Sequence, residues 1–146
     1  MTTSKYLFTA KILAAIGIGL ALYLYVSFIT QPVYSLCTIS DTINCDAVIS
    51  GEVSRTLGIP TSLYGLIGYI VILVAAFLGR KKLMLGVAIF GTLFCLRITF
   101  IEIFQIGVIC PVCLLCQVDM LALLTVSYFA LKKKNAAIQT SEIESV

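Results

Sequence analysis

Cys110-Pro111-Val112-Cys113 sets two cysteines at the spacing of a dithiol redox centre. Proline suits the first position of a helix, where its missing N–H is not needed and its fixed φ already fits. A helix is therefore predicted to start at Pro111, with Cys110 near the N-cap. There the unpaired N–H groups and the helix dipole favour the thiolate, the form that attacks disulfides. A second pair, Cys37 and Cys45, brackets seven residues, 38–44. A disulfide moves by thiolate attack through a mixed disulfide, so a loop pair and a helix-borne pair can act as a relay.

Two other readings of these thiols remain open on the residues alone. Cys37–Cys45 could be a static bridge that staples its loop, whereas a bridge across a C-x-x-C closes too small a loop to add much stability. Cys110, Cys113 and Cys116 also form C-x2-C-x2-C, part of an iron–sulfur pattern, with Cys45 as a conceivable fourth ligand. Against a metal, Cys116 falls inside an apolar run and no proline follows it. The chain has no histidine, which removes most zinc sites and any Cys–His nucleophile. No metal is expected.

The elements that must position these residues follow from composition. Of 146 residues 60% are hydrophobic and 12% charged, with mean hydropathy +1.09. A soluble domain of this size could not hide that much apolar surface, so the class is integral membrane. A span needs about 20 apolar residues, and four runs qualify: 12–29, 61–79, 83–106 and 111–131. The alternating segments of about ten residues that mark a membrane barrel are missing. The expected fold is all-α, a four-transmembrane-helix bundle over residues 1–134, followed by a disordered polar tail, 135–146.

The positive residues give an orientation. Lys5 and Lys11 precede the first run, Arg80, Lys81 and Lys82 separate the second from the third, and Lys132, Lys133 and Lys134 follow the fourth. The loop at 31–60 has only Arg55 against Asp41, Asp46 and Glu52. By the positive-inside rule both termini and the 80–82 turn are cytoplasmic, in a cell's inner membrane. The loop and the 107–110 turn then face the outside, where disulfides form and persist. A net charge of +3 placed this way is no nucleic-acid signature. The first run has full span length and no A-x-A site after it, so it reads as a span rather than a signal peptide.

Within the loop, Asp46 can cap a short amphipathic half-helix carrying Val48, Ile49, Val53 and Leu57, stopped by Gly58 and Pro60 and lying as a roof on the membrane face. In the first span Gly17, Gly19, Ala14, Ala15 and Ala21 would let neighbouring helices approach. Tyr23, Tyr25 and Tyr34 suit the outer interface. Arg97, Glu102 and Asp119 lie within spans, where charge is costly and paired or functional. The expectation is an Arg97–Asp119 ion pair between adjacent helices, the functional alternative being proton delivery by these groups or by Glu102. Cys95 and Cys116 read as small core residues.

The order Cys37, Cys45-Asp46-Ala47-Val48, Gly58-Ile59-Pro60-Thr61-Ser62-x-x-Gly65 and Cys110-Pro111-Val112-Cys113 resembles the vitamin K epoxide reductase family in its prokaryotic form, over about residues 10–131. The resemblance implies a four-helix membrane bundle around a quinone, ubiquinone or menaquinone. It implies an enzyme that reoxidises a DsbA-like or thioredoxin-like extracytoplasmic protein and supports disulfide formation. It assigns Cys37 to face that partner, Cys45 to attack Cys110, and Cys113, with Gln117, to meet the quinone. Two positions depart from the pattern. Gly51 stands where the family usually has serine, with Ser50 just before it, and Gln117 where vertebrate members have tyrosine. Both bear on hydrogen bonding to the quinone and argue against vitamin K epoxide itself as substrate. Many prokaryotic relatives carry a fused thioredoxin-like domain; none lies before Val146, so the partner is expected in trans. The alternatives are a DsbB-type quinone oxidoreductase, whose cysteine pairs come in the reverse order, and a non-catalytic membrane protein braced by disulfides.

Overall fold

The computed structural model describes residues 3–30, 40, 42–43, 55–56 and 59–144. Helix α1 runs Thr3–Thr30, and strands β1 (Arg55–Thr56) and β2 (Ile59–Pro60) lead into α2 (Thr61–Phe77). Helix α3 runs Lys81–Ile101 and continues as a π turn, Glu102–Ile106, before α4, Pro111–Glu144. Among the described residues three stretches are long and apolar enough to cross a membrane: Ser4–Thr30, Lys81–Gln105 and Pro111–Ala137. At 17 residues α2 is shorter, about 26 Å at the helical rise against a hydrocarbon core of about 30 Å.

The surface has the polarity of a membrane protein. Phe8, Phe77, Phe90, Phe104 and Val118 are exposed, while Glu102, Gln117, Asp119 and Ser127 are buried. Water would reverse that arrangement. Helix α1 packs on α2 and α4, and α3 packs on the same two, so the four helices close a ring. The seam of α1 is Ala10, Ala14, Gly17 and Ala21, all buried and spaced at helical period. A side chain at Gly17 would occupy the ring of Tyr69, so this glycine lets α2 bury its tyrosine between helices. Gly19 and Ala15, expected to share that role, are exposed. Between α3 and α4 a similar approach sets Met120 against Gly91.

Short connections fix the neighbours. Helix α2 ends with Gly79 at φ +64 and the Arg80 N–H bonded to the Ala75 carbonyl, the Schellman closure that leaves no free turn before α3. Lys11 places its ammonium 4.1 Å from the centre of the Phe77 ring, joining the start of α1 to the end of α2.

Two expectations are corrected here. The half-helix expected to reach Leu57 cannot do so, because Arg55 and Thr56 pair antiparallel with Pro60 and Ile59. The remainder of that half-helix, 46–54, lies outside the described residues, as does Tyr34. Helix α4 continues to Glu144, where a disordered tail is expected from residue 135. No proline or glycine interrupts it, and Lys132–Lys134, Ala136, Ala137 and Gln139 are good helix formers.

Candidate functional site

Cys110 is the N-cap of α4. Its carbonyl accepts the Leu114 N–H at 3.1 Å, and its sulfur accepts the Cys113 N–H at 3.4 Å. The sulfur thus does what a serine or aspartate oxygen does at a helix start, satisfying a donor the helix leaves over. Pro111 at the next position needs no partner. The Cys113 thiol donates to the Cys110 sulfur, and this bond holds the Cys110 thiol below the ordinary cysteine range, outweighing burial and the charge of Glu102, with the Cys113 and Val112 N–H groups helping. Of the two sulfurs, Cys110 is the one whose surroundings favour the thiolate.

A test follows from that cause. Alkylation of Cys110 should rise through a pH midpoint below that of an ordinary cysteine and level off above it. Removing the donor in Cys113→Ala should move the midpoint up. Burial slows alkylation at every pH and by itself raises the midpoint, so the lowering rests on the donor, and a midpoint unchanged in Cys113→Ala contradicts the assignment.

The turn before Cys110 is shaped by the π turn. Gly107, at φ +72, closes it by donating to the Glu102 carbonyl, which also accepts the Val108 N–H at 3.2 Å. Glu102 continues the buried face of α3 (Ala88, Thr92, Ile98) at helical spacing and is 1% exposed. Its carboxyl faces the Cys113 thiol and the Cys110 N–H as hydrogen-bond partners. Above this turn lies a piece of the long loop: Ile43 forms a parallel bridge with Ile109, whose N–H donates to the Thr42 carbonyl at 2.8 Å. Cys110 itself is 0% exposed, packed in an outer cluster with Val108, Val112 and, from α1, Tyr23, Leu24 and Phe28.

Inside the ring of helices is a cavity of ≈ 330 Å³. Cys113 lines its wall, with Cys116 and Met120 from α4, Cys95 and Phe94 from α3, and Thr61, Ser62, Tyr64 and Tyr69 from α2. Ile67 and Phe90 also line it, yet are 53% and 69% exposed. The cavity therefore reaches the apolar outer surface between α2 and α3. Tyr64 and Phe94 face each other across these two helices with ring centres 5.9 Å apart.

Tyr69 was not singled out by sequence reading. Its hydroxyl donates to the Cys116 carbonyl at 3.3 Å, and the Asp119 carboxyl lies beside the same hydroxyl. The signal that could have found it is a phenol far from either interface, since a buried tyrosine hydroxyl needs a partner. This contact replaces the expected Arg97–Asp119 ion pair: Asp119 is buried inside the ring, while Arg97 is exposed on the outer face of α3, with Phe90, Leu93 and Phe100. Nine residues of separation from the helix ends matched the two in height, but the helical phase turns them apart.

Of the remaining expected site residues, Cys37 and Cys45 lie outside the described residues, as do Ser50 and Gly51. Gln117 is buried one turn beyond Cys113, with neither amide atom partnered among the described residues, and is not part of the cavity wall. Cys116 is buried and Cys95 packs against the core, as expected, and both also line the cavity. Among the described residues no three acids or thiols gather as metal ligands.

Compared with known proteins, residues 8–128 match the profile described as Vitamin K epoxide reductase family. No curated protein matches the chain.

Proposed function

From the premise that the chain belongs to the vitamin K epoxide reductase family, whose members are membrane thiol oxidoreductases, we propose that it oxidises a thioredoxin-like protein outside the cytoplasm and passes the electrons to a membrane quinone. The observation that carries this is the division of labour within one C-x-x-C. Cys110 caps the helix beneath the loop, and Cys113, one turn on, lines an apolar cavity. Electrons entering at Cys110 therefore leave from Cys113 on the other side.

Cys110 is too deeply buried for a second protein to reach, so the loop pair serves as carrier. The partner's dithiol reduces a Cys37–Cys45 disulfide through Cys37. The Cys45 thiolate then attacks Cys110 of the Cys110–Cys113 disulfide, and closure of Cys37 on Cys45 leaves both helix cysteines reduced. Chain connectivity favours this step: Cys45 is two residues from Ile43, about 7 Å fully extended, and Ile43 bridges Ile109 beside Cys110.

The cavity suits a quinone ring. At ≈ 330 Å³ it stands at the lower end of ligand cavities, about 300–1,000 Å³, enough for the ring but not for a whole isoprenoid chain. The opening between Ile67 and Phe90 gives the tail a route to lipid. A bound quinone would supply a two-electron acceptor; Cys113 would face its ring. Thr61, Ser62, Tyr64 and Tyr69 are among the residues of the same wall, which is predominantly apolar. The flanking lysines and arginines support four spans with both ends in the cytoplasm of an inner membrane.

Detergent-purified protein supplied with ubiquinone-1 and a reduced thioredoxin-like protein should bleach the quinone over many turnovers. A protein that is merely braced by disulfides would leave it oxidised.

A further inference from the structure

Glu102 is a buried acid whose surroundings hold thiols rather than a cation. Its carboxyl faces the Cys113 thiol and the Cys110 N–H, and Oε1 has no partner among the described residues. The titratable groups that face it among those residues are Cys110 and Cys113 and, two turns down α3, Cys95. No Lys or Arg pairs with it there. An acid kept in an apolar bundle without a counter-ion is a functional group by default, and π turns are frequent at functional sites.

We propose that Glu102 is the catalytic base and acid of the thiol pair, taking the Cys113 proton as the electrons leave and giving it up afterwards. The inference rests on the quinone-linked reading above. Cys110, whose surroundings favour the thiolate, ionises first and releases its proton to the medium. Glu102 removes the proton of Cys113, the Cys110–Cys113 bond forms, and two electrons pass to the quinone. Two protons join them there, one from Glu102 and one from the medium. Two thiols and a quinone thus become a disulfide and a hydroquinone, with no other reactant. The electrostatic cost of two adjacent thiolates is what the base avoids, because proton removal and bond formation coincide at one sulfur.

The first readout needs no quinone. In Cys110→Ser protein, iodoacetamide capture of Cys113 should follow a two-step pH profile, as two groups sharing a proton do. In the Cys110→Ser, Glu102→Gln double variant it should follow one step. The second readout is single-turnover bleaching of ubiquinone-1 by the prereduced wild-type pair and its Glu102 variants. Glu102→Gln should be slower by about 10²-fold or more, the range of general acid–base catalysis, and Glu102→Asp should recover part of the rate. A Glu102→Gln rate within about threefold of wild type, below that same range, overturns the proposal. So does equal loss in Gln and Asp variants with a lowered unfolding temperature, which marks a structural role. If wild type and Cys113→Ala bleach ubiquinone-1 alike, it is the quinone-linked reading that fails, whatever Glu102 does.

Discussion

Cys113→Ala should abolish quinone reduction and accumulate a disulfide between Cys45 and Cys110. The Cys110 thiolate attacks the Cys37–Cys45 disulfide at Cys45 and releases Cys37. With no Cys113 to displace Cys45 in turn, and Cys37 open to alkylation, this mixed disulfide is the state that accumulates. The loss should be at least about 10³-fold, since members of a catalytic unit cannot substitute for one another. Peptide mapping of alkylated, unreduced protein reads the trapped bond directly. Cys110→Ala should behave differently: Cys45 has nothing to attack, and partner protein should be found on Cys37 instead. The contrast follows from geometry. Cys110 lies under the Thr42–Ile43 segment, and Cys113 faces the cavity. If Cys113→Ala and Cys110→Ala trap the same species, the two cysteines do not have separate faces.

The second large effect concerns the bundle. A methyl group at Gly17 would fall within the Tyr69 ring. Gly17→Ala should therefore destabilise the detergent-solubilised protein by about 1–3 kcal/mol, the usual cost of overpacking, despite alanine's better helix propensity. Tyr69→Ala alone should cost about 3–5 kcal/mol, as for other large aromatics, and also frees the Cys116 carbonyl and the Asp119 carboxyl of their hydroxyl partner. In the double variant the alanine at position 17 has room, so its penalty should vanish. Non-additivity of that sign is the signature of contact. Equal Gly17→Ala penalties in both backgrounds would show that something other than the tyrosine limits that position.

How much of this was legible in the sequence depends on which constraint wrote it. The helices were readable because lipid demands long apolar runs, and the start of α4 because Pro111 fits the first helical position and little else. That placed Cys110 at the helix entrance and Cys113 one turn in; the direction of the pair was only what the resemblance implied. Boundaries at the ends were less so. Residues 3–11 and 132–144 are polar enough to lie outside an apolar run, yet nothing in them breaks a helix. The Arg97–Asp119 pairing failed because depth along a helix was known and rotation about it was not. Tyr69 was hidden among the apolar residues of α2, its partner Cys116 carbonyl being a backbone atom that no side-chain pattern announces. Glu102 was readable as an acid within a span, but its thiol neighbours depended on the Gly107 turn that brings α4 back beside it, which apolar periodicity does not announce. Gln117 illustrates the converse: its motif position pointed to the cavity, while its helical phase places it off the wall.

The most direct measurement of the central claim is stoichiometric and anaerobic. Protein with its thiols reduced is freed of reductant and mixed with excess ubiquinone-1, and the bleaching is compared with the disulfides mapped afterwards in the same sample. If Cys110–Cys113 is the electron exit, Cys37→Ala, Cys45→Ala protein should reduce one quinone per chain and acquire one disulfide, between Cys110 and Cys113. Quinone left oxidised, or bleached without that disulfide, would contradict the account.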